Sequence, residues 1–175
     1  MPISLYDLSI GSYLQTLDAT AALLDKALAH FQEKKIDPEV IVTTRLYPDM
    51  LPFRFQVQSV AFHAGATVAA LKSGTLSPPK DRPNHDYAGL QALLADTAAA
   101  LRAETRESIE AREGSDITFT TPASTRVFTA TDFVLGFSLP NLHFHAATAY
   151  DILRQAGVPI GKRDFLGQLR VKETR

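Results

Sequence analysis

Histidine is the residue type in this sequence with the clearest chemical potential, and its placement suggests one site. Asn141 and His145 are four residues apart in the segment LPNLHFHAATAYDILRQAG, so on a helix they share a face. His63 belongs to another predicted helix, one step from that helix's apolar stripe. If the two helices face each other, His63, Asn141 and His145 converge. Two imidazoles with an oxygen ligand and a water would form an open site for a divalent transition metal.

The same residues also fit a structure without a metal. In that interpretation His63 and His145 are half-buried histidines whose nitrogens are hydrogen-bonded within the fold. His143 is two residues from each member of the Asn141–His145 pair and must point elsewhere. His30 lies near the end of the first predicted helix and His85 lies in a polar connection, so both are expected at the surface.

Composition excludes several classes of function. The net charge is −1 and no basic stripe occurs, which argues against nucleic acid as a partner. The chain has no cysteine, so only nitrogen and oxygen atoms are available as metal ligands, and a reducing compartment is compatible. We find no dinucleotide-binding glycine motif, P-loop, nucleophile elbow or HExxH motif. No signal peptide or apolar run of membrane-spanning length is evident, so we expect a cytoplasmic protein without membrane contact.

Apolar periodicity predicts three helices in the first two thirds of the chain. The first ends at Ile36-Asp37-Pro38, because proline disfavours helical geometry in the residue before it. The second begins near Leu51 or Pro52, with Asp49 as a candidate cap, and ends at Ser73-Gly74. The third spans about 86–112. The apolar stripe of the second helix is formed by Phe53, Val57, Val60, Ala64, Thr67, Val68 and Leu71.

The last third combines strands with a fourth helix. The segments ITFTT and TRVFTAT are rich in β-branched and aromatic residues and predict a small hairpin. The fourth helix is expected to start after a cap at Thr131, to kink at Pro140 and to stop at Gly157. Tyr150 is expected to pack in it, and an irregular or strand-like tail follows. These elements predict one all-α domain over residues 1–175, an up-down-up-down four-helix bundle with a hairpin-like insertion before helix four.

Two segments resemble a known family. PDMLPFRFQVQ (48–58) and LPNLHFHAATAYDILRQAGVPIGKRDFLG (139–167) are similar to an uncharacterised branch, a domain of unknown function, of the DinB/YfiT-like superfamily. The resemblance implies a four-helix bundle, often a homodimer, in a superfamily described as metal-dependent enzymes. Its metal is held by one histidine on helix two and an H-x-x-x-H pair on helix four. Alignment on LRQAG places that pair at Asn141 and His145, so asparagine stands where a histidine ligand is expected.

Three functions follow from these expectations. The first is a hydrolase or thiol-dependent transferase that uses Zn²⁺, Ni²⁺ or Fe²⁺ in a degenerate site made by His63, Asn141 and His145. The second is a metal-free protein that binds a small molecule between helices two and four. The third is a dimeric structural protein.

Overall fold

The computed structural model describes residues 3–172. In chain order its elements are α1 (Leu5–Leu8), α2 (Ile10–Lys34), α3 (Glu39–Val42), α4 (Phe53–Ser73), β1 (Thr75–Leu76), α5 (Tyr87–Arg102), α6 (Arg106–Glu110), β2 (Asp116–Thr121), β3 (Ser124–Thr129), α7 (Ala130–Phe133), a π-helical turn (Val134–Ser138), α8 (Leu139–Gln155) and α9 (Lys162–Leu166). No helix in the described part of the chain is both long enough and apolar enough to cross a bilayer.

The core lies between the four long helices α2, α4, α5 and α8. Helix α4 contacts both α5 and α8, and α2 contacts the same two helices from the other side. The whole predicted stripe of α4 is buried, as expected for the apolar face of an amphipathic helix. The stop predicted at Ser73-Gly74 is confirmed, since Gly74 closes α4 with a φ of 78°, a left-handed conformation that glycine adopts without strain.

The directions of the helices differ from the predicted alternation, because α5 runs parallel to α4. Lys72 at the end of α4 binds Glu104, just past the end of α5, with 2.9 Å between Nζ and Oε1. Gln58 near the start of α4 donates to the carbonyl of Pro83, just before α5. The connection 77–86 makes this possible, since about ten extended residues reach roughly 33 Å and α5 is about 24 Å long.

The other pairs complete an up-down-down-up order. Helix α5 is antiparallel to α2, because its start contacts Asp25 through Gln91 and its end contacts Asp18 through Arg102. Helix α8 is antiparallel to α4 and begins beside the start of α2, where Ser138 receives a hydrogen bond from Tyr13. The predicted up-down-up-down order is therefore wrong, because it assumed that every connection reverses the chain.

Two other boundaries needed correction. The predicted third helix is interrupted after Arg102, and Thr105 caps the separate short helix α6 by accepting from the Ser108 amide. Asp49 does not cap α4, whose N-cap is Pro52 and which has no side-chain cap. A proline in the extended conformation supplies no side-chain acceptor, so the first amides of α4 are not bonded in this way.

A three-stranded sheet covers one end of the helices. The predicted hairpin is present as the antiparallel pair β2 and β3, and β1 adds a parallel strand on the other side of β2. Phe119 and Phe128 of the hairpin pack on Phe133 and Phe137, which precede α8. The sheet therefore fixes the start of α8 against the core.

The predicted irregularity at Pro140 takes the form of the π-helical turn that precedes it. Proline lacks the amide that an α-helix needs at this point, and a π-helical turn is one way to accommodate the missing bond. The N-cap before this region is Thr129, which accepts from the Asp132 amide, and not Thr131. The tail contains the short helix α9 where an irregular or strand-like segment was expected, and residues 173–175 lie outside the described chain.

Candidate functional site

The structure brings His63 of α4 and His145 of α8 together. Their ring centroids are 5.7 Å apart and their planes differ by 14°. His63 is 7% exposed and His145 is half-buried. The antiparallel packing of α4 on α8 produces this contact, because Gln56 meets His145 two turns before His63 meets the start of α8.

Gln56 fixes the orientation and the tautomer of His145. The Gln56 amide nitrogen donates to the carbonyl of Leu51 at 2.8 Å, so its oxygen Oε1 faces His145. His145 Nδ1 lies 2.8 Å from that oxygen. Since Oε1 can only accept, Nδ1 carries the proton and Nε2 keeps its lone pair. This arrangement resembles the second-shell contacts that orient metal-binding histidines.

His63 sits in an aromatic environment and has an unused nitrogen. Its ring packs edge-on against Phe62 and Phe137, at centroid distances of 5.3 and 5.6 Å. Its Nδ1 is buried and has no hydrogen-bond partner within residues 3–172. Most buried polar atoms are bonded, so an unused nitrogen at this position marks bonding capacity that the fold leaves open.

A buried hydroxyl cluster lies beside His63 and is fully bonded. The Tyr13 hydroxyl donates to Ser138 Oγ at 2.9 Å, and Ser138 donates to the carbonyl of His63 at 2.8 Å. Thr67 Oγ1 is 2.8 Å from Ser138 Oγ. The single proton of Ser138 is used toward His63, so Thr67 is the donor and Ser138 accepts twice. This cluster joins α2, α4 and the start of α8, and it uses all three of its hydroxyl protons within the protein.

Burial keeps both imidazoles neutral at neutral pH. Desolvation lowers the pKa of His63 to about 4, with smaller effects from His145 and Arg82. Desolvation also lowers the pKa of His145 to about 4, again with a contribution from Arg82. The guanidinium of Arg82 lies 4.3 Å from the centroid of Phe55, whose ring contacts His145. The pair therefore offers neutral nitrogens next to one fixed positive charge.

Asn141, the third predicted ligand, is engaged within its own helix. It is half-buried, and its Nδ2 donates to the carbonyl of Phe137 at 2.7 Å. Asn141 is therefore tied to the start of α8 through its amide nitrogen. The other candidates lie apart from the pair: Asp49 and His143 are exposed, and Tyr150 packs on Phe165 as predicted.

The histidine pair fits a divalent metal in part. With Zn–N bonds of about 2.0–2.1 Å and a tetrahedral angle at the metal, the ring centroids of two imidazole ligands lie about 5.2 Å apart. The observed separation is 5.7 Å, so binding one ion would require a wider angle at the metal or a small shift of one ring. Within the described residues, however, no group of three His, Cys, Asp or Glu side chains could hold a metal ion. A metal here would take two imidazole ligands, and its further positions would be filled by water, substrate or the side-chain oxygen of Asn141.

Sequence reasoning missed two residues of this site. Gln56 is seven residues before His63, so it shares a helix face with it, and that spacing in QVQSVAFH could have revealed it. Arg82 lies in the connection SPPKDRPN and has no periodic relation to the helices. Only the path of that connection across α4 brings Arg82 to the pair.

Comparison with known proteins agrees with the fold and the resemblance. The family model of DUF1993, a domain of unknown function, matches residues 5–166. The chain belongs to this family. A crystal structure of a DinB family member protein from Shewanella denitrificans is similar, with a TM-score of 0.79 and 30% sequence identity. The alignment covers 97% of this chain and 96% of that one. Among curated proteins, none matches. The chain is thus a mostly helical, DinB-like member of the DUF1993 family.

Proposed function

We propose that His63 and His145 bind a divalent transition metal and that this member of the family is a metal-dependent hydrolase or thiol-dependent transferase. The observation that carries the proposal is the pairing of two neutral imidazoles 5.7 Å apart, one of them oriented by Gln56 and the other with an unused Nδ1. Neutral imidazoles bind metals without losing a proton, so a pKa near 4 favours binding at neutral pH.

The side chains around the pair have separate tasks in this proposal. His145 would offer Nε2, since Gln56 holds its Nδ1 proton, and His63 would offer Nδ1. Zn²⁺, Ni²⁺ or Fe²⁺ in such a site supplies a Lewis acid that lowers the pKa of a coordinated water or thiol. Phe62 and Phe137 keep bulk water from one side of His63. Asn141 contributes by holding the first turn of α8 and has its carbonyl oxygen as a weaker third ligand.

Metal titration of tag-free protein tests the proposal. The protein is treated with a chelator, dialysed and titrated with ZnCl₂, NiCl₂ and, under argon, an Fe²⁺ salt in a calorimeter. We expect one binding site per chain. His63→Ala and His145→Ala should each weaken binding about tenfold or more, which corresponds to about 1.4 kcal/mol. Gln56→Leu should weaken it by about 10- to 100-fold, because it removes the partner that orients His145.

His143→Ala is the matched control. This exposed histidine is two residues from His145 on the same helix, so its removal tests for unspecific binding by surface imidazoles. Equal affinity in wild type, His145→Ala and His143→Ala would overturn the proposal. So would the absence of saturable binding for all three metals at millimolar concentration.

A metal-free small-molecule site is the second candidate, and Arg82 favours it. A guanidinium beside the imidazoles opposes a second cation, whereas neutral imidazoles next to a positive charge suit a polar or anionic ligand. In this case chelation leaves the melting temperature unchanged, and ligands that bind the native state raise it. A melting screen of metabolites with and without a chelator separates the two candidates.

We also infer that the four long helices form a closed bundle, since each contacts both of its neighbours in the ring α2–α5–α4–α8. The homodimer implied by the family resemblance stays a prediction, as does a dimeric structural role. Light scattering over a range of protein concentrations tests both, and a strict monomer would remove them. A cytoplasmic location is likewise a prediction from the sequence, and cell fractionation would test it.

A further inference from the structure

A groove with three arginines lies at the start of α4 and includes Phe55, whose ring contacts His145. It has a volume of about 380 Å³ and lies between the residues around the start of α4 and the connection before α5. Arg45, Arg54 and Arg82 line it, together with the polar side chains of Thr43 and Asn84. This volume falls in the range of small-molecule sites, roughly 300–1,000 Å³, and exceeds what a single ion needs.

The positive charge of this groove is not balanced within the described chain. None of its three arginines forms an ion pair with a carboxylate among residues 3–172, and no acidic side chain lines the groove. Asp81, the neighbour of Arg82, lines an adjacent cleft. Since the net charge of the whole chain is −1, three unpaired guanidiniums in one groove are a local feature and not a consequence of a basic protein.

Two of the guanidiniums are held in place by contacts that use only part of their hydrogen-bonding capacity. Arg45 donates to the carbonyl of Met50. Arg82 stacks on the ring of Phe55, 4.3 Å from its centroid, and donates to Ser59 Oγ at 3.3 Å. A guanidinium has five N–H donors, so several on each side chain are free for a ligand.

The third arginine, Arg54, and the N-terminus of α4 lie together in the groove. Arg54 Nε is buried and has no hydrogen-bond partner in the described part of the chain. Helix α4, 21 residues long, starts at this groove with Pro52 as its N-cap and no side chain that caps it. The first amides of a helix and the positive end of its dipole attract anions. The groove therefore has a buried side-chain nitrogen without an acceptor in the described chain, beside a helix terminus whose first amide, that of Phe53, donates to the carbonyl of Thr44 at 2.8 Å.

We propose that this groove binds a small molecule that carries a phosphate group. Three guanidiniums and a helix N-terminus match the charge and the several acceptor oxygens of a phosphate better than those of a single carboxylate. The apolar side chains of Leu51, Pro52 and Phe55 provide a surface for the organic part of the ligand. Phe55 also contacts His145, at 5.7 Å between ring centroids, so the bound molecule lies next to the histidine pair.

Calorimetric titration with phenyl phosphate, inorganic phosphate and benzoate tests the proposal. We expect saturable binding of phenyl phosphate, weaker binding of inorganic phosphate and the weakest binding of benzoate. Arg54→Gln should weaken phenyl phosphate binding about tenfold or more, and Arg45→Gln should weaken it by a smaller factor. Arg126→Gln is the matched control, because Arg126 is exposed on β3 and far in sequence from the groove, and it should leave binding unchanged.

Separate readouts keep the result independent of folding and of the metal site. Circular dichroism and melting identify a variant that fails to fold. In that case Arg54→Lys, which keeps the charge and loses the planar fork, replaces Arg54→Gln and should show an intermediate affinity. His63→Ala should retain phosphate binding even if it abolishes metal binding. Equal affinity in Arg126→Gln and both groove variants, no saturable binding at millimolar phenyl phosphate, or benzoate binding as tight as phenyl phosphate would overturn the proposal.

Discussion

Two polar regions of this protein lie side by side in the core and differ in how completely they are bonded. In the hydroxyl cluster of Tyr13, Thr67 and Ser138, the Ser138 hydroxyl has one donor and two acceptor contacts, all within 2.9 Å. One turn away, His63 keeps a buried nitrogen without a partner in the described chain. In both regions burial removes polar groups from water, which costs free energy. Only the hydroxyl cluster offsets that cost fully with hydrogen bonds inside the protein.

The difference separates a structural role from a functional one. A saturated cluster can be explained by stability alone, because it joins α2, α4 and α8 and has no free hydroxyl proton to offer a ligand. An unsaturated pair lowers stability unless something else bonds to it, and it is the better candidate for function. The two regions should therefore respond differently. Substitutions in the hydroxyl cluster should change stability only, whereas substitutions or protonation of the histidine pair should change both stability and binding.

The largest expected effect is a loss of stability at acidic pH that comes from the histidine pair. The folded protein holds the pKa of His63 and His145 near 4, whereas the unfolded chain has a value near 6.5. Between these values the unfolded chain binds more protons, so the free energy of unfolding falls as the pH drops from 6.5 to 4 and levels off below. A shift of this size corresponds to about 3 kcal/mol for each histidine.

Urea denaturation in the presence of a chelator, at several pH values between 7.5 and 4, measures this loss. The double variant His63→Gln/His145→Gln should lose most of the slope, whatever its absolute stability. His30→Gln is the control and should keep the slope of the wild type. A slope that persists in the double variant would assign the acid sensitivity to other groups. The carboxyls of Asp7, Glu110 and Asp164, whose pKa values are lowered mainly by their hydrogen-bonded basic partners, act at lower pH.

The second effect concerns the centre of the hydroxyl cluster. Ser138→Ala removes the acceptor of both Tyr13 and Thr67 and leaves two buried hydroxyls to find new partners. We expect the free energy of unfolding at pH 7.5 to fall by about 2–3 kcal/mol. Metal and phenyl phosphate affinity should stay within about twofold of wild type, a change below about 0.5 kcal/mol. Ser77→Ala, at an exposed serine, is the control for the substitution itself. A large loss of binding with little loss of stability would reverse the roles assigned to the two regions.

Much of this site followed from periodicity, and among the missed parts only Gln56 could have been found from it. The stripe of α4 and the Asn141–His145 spacing indicate one face on each helix, so the approach of His63 to His145 was predicted on the condition that the two helices face each other. The hydrogen bond from Asn141 to the carbonyl of Phe137 was not predictable, because it depends on the π-helical turn that precedes Pro140. Spacing predicts that a residue lies on a face but not which partner its side chain selects.

The order of the helices and the arginine groove were still harder to predict from the sequence, and both for the same reason. The stretch 75–86 first adds β1 to the hairpin, and its remainder brings α5 back parallel to α4 and carries Arg82 to the histidine pair. A connection has no period, so its sequence indicates only that a helix has stopped. The predicted hairpin, by contrast, was confirmed because its two strands carry the alternation and the β-branched residues that a local pairing needs.

The smallest of the expected effects tests whether the hydroxyl cluster is as saturated as its geometry indicates. Tyr13→Phe removes one donor and keeps the buried ring, while Ser138 still donates to His63 and still accepts from Thr67. The free energy of unfolding should fall by about 1 kcal/mol, the net value of one hydrogen bond, and by less than in Ser138→Ala. Tyr47→Phe, at a tyrosine that is 65% exposed, should be neutral in the same urea titration. If Tyr13→Phe cost as much as Ser138→Ala, the cluster would depend on Tyr13 and not on Ser138. If Tyr13→Phe left the free energy of unfolding unchanged, the hydrogen bond from Tyr13 to Ser138 would contribute nothing to stability. The contrast with the unsaturated histidine pair would then rest on the bond between Thr67 and Ser138 alone.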